Sequence, residues 1–202
     1  MSQSARSDFL QQRLVVEEKI DGANLGVSFD PEGKIRAQNR GAYLNLPGVG
    51  QWKKLYEWLT KRADLFFEHL LDRYIVFGEW CYARHAISYD RLPDWFLGFD
   101  VYDKFTARFM SCARRDEFLR ALDIFQVPKK NHGQFTLFEI RELLSQSQFA
   151  DKPAEGLYLR YDKNDWLVTR AKLVQPAFIQ TIDQHWSRSE TTPNTLRPGE
   201  MT

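Results

Sequence analysis

The sequence predicts a single α+β domain in which antiparallel strands and flanking helices are mixed along the chain. Three observations predict it. Runs rich in β-branched and aromatic residues are separated by tight-turn signals, apolar residues recur at helical spacing between those runs, and one composition regime holds throughout. With 202 residues, 43% of them hydrophobic, the chain is long enough to bury roughly 70% of its unfolded surface. No disulfide framework is then required, and the two cysteines, Cys81 and Cys112, read as free thiols of a reducing compartment.

The first strand is Leu14-Val15-Val16-Glu17-Glu18-Lys19, stopped by the turn pair Asp21-Gly22 and followed by a second short run, Leu25-Gly26-Val27-Ser28-Phe29. Asp30-Pro31-Glu32-Gly33 is a turn, because Pro fixes φ and Gly tolerates positive φ, so residues 34–39 return as an antiparallel partner. Between 52 and 71, Trp52, Leu55, Tyr56, Leu59, Ala63, Phe66, Phe67, Leu70 and Leu71 mark one amphipathic helix. Strand signals resume at Tyr74-Ile75-Val76-Phe77-Gly78-Glu79-Trp80 and at residues 95–102. Ser111 caps a helix running to about residue 124, and Thr136 with Glu139 forms a capping box opening another through residue 144. Residues 156–161 and 166–174 flank the turn Asp162-Lys163-Asn164-Asp165 as a hairpin, and Pro176 starts a final helix to about residue 186. Residues 1–186 form the domain, and the polar stretch 187–202 reads as a loose tail.

No stretch approaches the roughly 20 apolar residues of a membrane helix, and no apolar segment follows the start as in a signal peptide, so the expectation is a cytoplasmic protein without membrane contact. The balance of 28 Lys+Arg against 27 Asp+Glu excludes binding of nucleic acid by bulk charge. A local patch would be required, and the pairs Lys53-Lys54, Arg114-Arg115 and Lys129-Lys130 read first as solvated surface. Cys81 and His85 have helical spacing, but the segment holds no other cysteine or second histidine close by, so the pair does not read as a zinc site.

One ordered set of residues points to chemistry: Lys19-Ile20-Asp21-Gly22-Ala23-Asn24, then Arg40, Phe77-Gly78-Glu79-Trp80, Phe99-Asp100-Val101, Glu155-Gly156 and Arg170-Ala171-Lys172. Alone, a lysine before a turn is an ordinary surface feature. As a set in this order, the chain resembles the RNA ligase family within the covalent nucleotidyltransferases, the superfamily of RNA ligases, DNA ligases and mRNA capping enzymes. The match to motifs I, Ia, III, IIIa, IV and V runs from about residue 14 to the final helix. The resemblance implies a nucleotidyltransferase (adenylation) domain with ATP in a cleft between antiparallel sheets.

It further implies that Lys19 is the nucleophile that becomes attached to AMP, with Glu18, at a position that contacts adenine, and Ile20 beside it. Asp21 and Asn24 would fix the loop and the ribose-phosphate end, and Arg40 would lie near the ribose and the nucleic-acid end. Glu79 would bind the ribose, Phe99 would cover the base, Glu155 would contact a metal or the nucleotide, and Arg170 and Lys172 would hold phosphate. Asp100 would orient its strand or the loop around the nucleotide. The implied cofactors are ATP with Mg²⁺ or Mn²⁺. The implied partner is RNA with 5′-phosphate and 3′-hydroxyl ends, with room for a partner protein or repair complex.

Physical chemistry explains why such residues would be collected. A lysine amine attacks phosphorus only when neutral, against a reference pKa of about 10.4. Nearby cations or a metal disfavour the ammonium and also neutralise charge on the α-phosphate. A ribose hydroxyl wants an acceptor, and a hard cation wants carboxylate oxygen. Arg170 stands where many family members have lysine; it can grip phosphate but cannot serve as a neutral amine. Little sequence precedes Lys19, where relatives often have a segment that helps bind pyrophosphate or adenine, so weak lysine adenylylation or a missing partner is expected. The little that follows Lys172 implies a domain without an oligonucleotide-binding barrel. That favours an RNA ligase over a DNA ligase or a GTP-using capping enzyme, with a non-catalytic ATP- and RNA-binding module as the rival from another class.

Overall fold

The turn and strand signals place two sheets side by side, and the chain crosses between them at the segment that carries Lys19. A computed structural model describes residues 2–144, 146–179 and 191–199. In chain order the elements are α1 (Gln3–Leu10), β1 (Leu14–Lys19), β2 (Ala23–Phe29), β3 (Ile35–Gln38), a 3₁₀ turn (Gly50–Trp52), α2 (Leu55–Lys61), α3 (Ala63–Leu70), β4 (Tyr74–Trp80), β5 (Phe96–Asp103), β6 (Arg108–Phe109), α4 (Cys112–Ala121), β7 (Phe125–Gln126), β8 (Lys129–Gly133), α5 (Leu137–Glu142), β9 (Gly156–Lys163), β10 (Trp166–Val174) and α6 (Pro176–Ile179). One sheet has the order β10-β9-β1-β8 and the other β3-β2-β4-β5-β6, with β7 added to β5. The pairings are antiparallel except β5 with β7. This is the predicted α+β architecture of antiparallel sheets with flanking helices.

Side-chain alternation decides which face each strand buries. Leu14 and Val16 of β1, with Leu157 and Leu159 of β9, pack against Phe9 of α1 and Ile140 of α5. The opposite face of that sheet carries Glu17, Lys19, Tyr158 and Arg160. In the second sheet Leu25, Val27, Val76, Trp80 and Phe96 pack against Leu55, Trp58, Phe66 and Leu70 of α2 and α3. A third cluster of Ile20, Cys81, Ile87, Tyr89, Leu97 and Val127 fills the space under the crossing. No described helix is long and apolar enough to cross a membrane.

The caps are as predicted: the Ser111 side chain accepts from Arg114 N, and Thr136 with Glu139 closes a full capping box. The single helix predicted over 52–71 is instead the 3₁₀ turn, α2 and α3. Arg62 leaves helical geometry (φ −112°, ψ 3°), while its guanidinium lies 4.5 Å from the Trp58 ring centre and 3.0 Å from Asp94. Both short helices can then lay an apolar side on the sheet, at the cost of exposing Tyr56 and Phe67, which are 53% and 50% exposed.

Two further expectations are corrected. Arg114-Arg115 is not a solvated pair, because Arg115 is fully buried in an ion cluster. Nor is the tail uniformly loose. Within it, residues 191–199 pack on loop 81–93, whose backbone groups lack sheet partners. Asn194 supplies them: its Nδ2 donates to Cys81 O at 2.8 Å and Ala83 O at 3.2 Å, and its Oδ1 accepts from Tyr89 N at 2.8 Å. The predicted final helix is present as α6; its continuation toward residue 186 lies outside the described residues.

Candidate active site

The crossing of the chain from one sheet to the other builds the site. Lys19 ends β1 opposite Gly156 of β9, which puts it beside Glu155. Three residues on, β2 starts in the second sheet, where Asn24 lies opposite Glu79 of β4. Ile20 anchors the crossing by burying its side chain (1% exposed) in the core. Asp21 fixes it from the other side: its N–H donates to the Tyr89 hydroxyl at 2.8 Å, and its Oδ2 accepts from Ile87 N at 2.8 Å. Lysine and glutamate from opposite sheets are thereby held near each other.

Lys19 Nζ donates to Glu155 Oε2 at 2.5 Å, both side chains being mostly buried. Glycine is required after Glu155, since a Cβ on Gly156 would lie 2.2 Å from the Leu173 carbonyl oxygen of β10. Burial raises the Glu155 carboxyl above its ordinary pKa, opposed by Lys19. Glu79 is more strongly perturbed. Burial pushes its pKa up to about 8; Lys19 and Arg40 oppose the shift, and Glu155 and Asp21 reinforce it. Its Oε2 is buried without a hydrogen-bond partner among the described residues. An orphaned buried carboxyl oxygen leaves a hydrogen-bonding position that the described residues do not fill.

The remaining predicted residues divide into those beside this centre and those turned elsewhere. Lys172 lies opposite Tyr158 on β10 and adds positive charge near Glu155. Phe99 is half-buried, its ring 6.5 Å from that of Tyr158 and nearly parallel to it at 23°. Arg40 is exposed in the loop after β3. Glu18 turns its fully buried side chain away from Lys19, accepting from Ser147 Oγ at 2.5 Å and Gln148 N at 3.0 Å and pairing with Lys130 at 3.0 Å. It ties loop 146–150 to β1. Arg170 pairs with Asp100 and covers the Phe109 ring at 4.8 Å.

Four further residues complete the site. Tyr158 faces Phe99, and Arg160 Nη1 donates to Asp100 Oδ1 at 2.5 Å and to Phe99 O at 3.2 Å. Arg115 donates to the same carbonyl at 2.7 Å and to Glu17, two residues before Lys19, at 2.5 and 3.1 Å. The period-two alternation of Tyr158 and Arg160 with Leu157 and Leu159 is a signal for the first two. Nothing in the sequence pairs Arg115 with Glu17.

Among the described residues no three His, Cys, Asp or Glu side chains gather as a metal site. The donor set suits instead a divalent cation carried by phosphate oxygens and completed by one or two carboxylates, Glu155 being the one beside Lys19.

Comparison with known proteins bears on the fold. Solved structures of Naegleria gruberi RNA ligase share the fold: a lysine-to-alanine variant with ATP and Mn at TM-score 0.68 and 17% identity, over 88% of this chain and 54% of that one. A glutamate-to-alanine variant with ATP and Mn gives 0.65 and 15% over 88% and 54%, and the ligase with PPi gives 0.64 and 17% over 88% and 53%. The chain thus spans about half the length of these solved relatives. No curated protein matches it. A family model described as RNA ligase matches residues 12–174, which contain every strand of both sheets, and the chain belongs to the RNA ligase family.

Proposed function

We propose that this chain is the adenylyltransferase part of an ATP-dependent RNA ligase that joins 5′-phosphate and 3′-hydroxyl ends through lysyl-AMP. The observation that carries the reading is the Lys19–Glu155 contact at 2.5 Å beside the unpartnered Oε2 of Glu79. A nucleophile, a carboxylate able to take its proton, and a vacant acceptor for a sugar hydroxyl meet at one point. In the first step the Lys19 amine, its proton passed to Glu155, attacks the α-phosphorus of ATP. An N–P bond forms, the bond to the bridging oxygen breaks, and pyrophosphate leaves. The 5′-phosphate of RNA then attacks the same phosphorus, freeing the lysine and forming a 5′-5′ pyrophosphate linkage. A 3′-hydroxyl finally attacks the RNA phosphate, and AMP leaves as the phosphodiester closes.

Each group of the site has a part in the first step. Glu79 and Asn24 hold the ribose, Phe99 covers the purine, and Lys172, with Arg170 once it leaves Asp100, balances phosphate charge. Mg²⁺ or Mn²⁺, carried on the triphosphate with Glu155 as protein ligand while that carboxylate is still ionised, would supply further neutralisation of that charge. A ligation assay with end-labelled, 5′-phosphorylated RNA tests the reading. ATP-dependent conversion of the label to a phosphatase-resistant, sealed form is the expected result. Sealing driven by GTP, or of nicked DNA in preference to RNA, would contradict it.

A further inference from the structure

Along β10, three arginines rest on aromatic rings. The guanidinium carbons of Arg108 and Arg114 lie 4.7 and 4.6 Å from the ring centre of Trp166, and that of Arg170 lies 4.8 Å from Phe109. Phe109, next to Arg108 on β6 and so on the opposite face, packs with Tyr102 at 4.9 Å and Phe77 at 6.3 Å. Strand pairing assembles the group: β6 brings Arg108 and Phe109, β10 brings Trp166 and Arg170, and Met110 bridges to Trp166. Trp166 shares β10 with Arg170 and Lys172, but the register shift between Leu167 and Thr169 turns its side chain to the other face of the sheet from theirs. From Lys172 to Trp166 the strand runs about 20 Å, at ~3.3 Å per residue.

Arg170 has a carboxylate partner in Asp100, whereas Arg108 and Arg114 have no ion pair and donate no side-chain hydrogen bond among the described residues. Two like charges on one indole repel each other, and a device for stability alone would place an acid between them. Their forked donors are therefore oriented by the ring and left open to an anion. The chain as a whole has a net charge of only +1, so anion affinity must reside in such local groupings. Flat guanidinium and aromatic faces interleaved with unpaired cations match an unpaired nucleic-acid strand, whose bases stack and whose phosphates take bidentate arginine.

We propose that Arg108, Arg114 and Trp166 form a docking edge for a single-stranded segment of RNA on the sheet face opposite Phe109 and Arg170. The identity of the strand as ligase substrate rests on the function proposed above; the docking edge does not. The test is binding of a 5′-phosphorylated single-stranded RNA of roughly 12 nucleotides, within the ~4–16 of known single-strand sites. Fluorescence anisotropy would be followed across a salt titration for the wild type, Arg108→Ala/Arg114→Ala and Arg108→Lys/Arg114→Lys, with covalent labelling by ATP measured in parallel.

The alanine pair should weaken binding by about tenfold or more and flatten the log–log salt dependence by about 1.4, the share of two phosphate contacts at ~0.7 each. The lysine pair should keep the salt dependence but not the full affinity, and labelling by ATP should stay at the wild-type level. RNA affinity of the alanine pair within twofold of wild type, or no binding by the wild type, would overturn the docking edge. Loss of RNA binding in the alanine pair of a protein that ATP never labels would leave the edge standing and remove the ligase reading instead.

Discussion

Glu79 concentrates the chemistry of the site in a single residue. Its carboxyl is buried within electrostatic reach of Lys19, Arg40, Glu155 and Asp21, and burial wins, raising its pKa to about 8. At neutral pH the group is largely protonated, so it can both donate to and accept from a sugar hydroxyl. The same shift has a consequence for stability. The unfolded carboxyl titrates near its ordinary value of 4.5, so between that pH and about 8 the native state binds more protons than the unfolded one. Stability from this group is therefore lost as pH rises through that window, and the loss is complete above it. Glu79→Gln should gain stability relative to wild type from pH 5 to pH 8.5, as measured by urea midpoints at each pH. A difference that is the same at both values would refute the assigned shift.

Glu155-Gly156 shows how strands hold the site's residues in place. The Gly156 backbone lies so close to Leu173 of β10 that a methyl group cannot fit. Gly156→Ala should destabilise the protein by about 1–3 kcal/mol through overpacking of β9 against β10. It should also weaken ATP binding, because Glu155 moves with the strand; calorimetric binding and denaturant unfolding would check the two effects. Removing the α4 cap by Ser111→Ala should cost about 1 kcal/mol without changing ATP affinity. At this scale much was legible in the sequence. Hairpins declare themselves through Asp30-Pro31-Glu32-Gly33 and Asp162-Lys163-Asn164-Asp165, and caps through Ser111 and Thr136. The relation of β1 to β2 did not declare itself: Asp21-Gly22 reads as an ordinary turn, yet it sends the chain into another sheet. The break at Arg62 was equally hidden, because its partners Asp94 and Trp58 come from elsewhere in the fold. Lys19, Glu79 and Glu155 could be singled out because their chemistry is specific to their type and order. Arg115 could not, since its role comes from a contact with Glu17 across 98 positions of sequence.

For the molecule as a whole, that contact joins the halves. Glu17 and Arg160 of one sheet, Asp100 and the Phe99 carbonyl of the other, and Arg115 and Asp116 of α4 form one buried network. It sets the strand of Lys19 against the strand of Phe99. Arg115→Ala would leave Glu17 buried without its bidentate partner and should cost about 3–5 kcal/mol, the range for breaking a buried pair by removing one member. A loss below about 1 kcal/mol in denaturant unfolding would show that the network does not hold the sheets together. Residues 191–199 add a second tie, closing on loop 81–93 through Asn194. Its polar composition reads as a tail because one buried amide serving three backbone groups leaves no periodic pattern.

The proposed function turns on Lys19 as the group that takes up AMP. The most direct measurement is incubation with ATP labelled at the α-phosphate, with Mg²⁺ or Mn²⁺, followed by denaturing electrophoresis of wild type and Lys19→Ala. A labelled band in the wild type, absent in the variant and absent with labelled GTP, is the predicted result. A band of equal strength in Lys19→Ala, or none in the wild type with either metal, would contradict the assignment of Lys19 as the nucleophile.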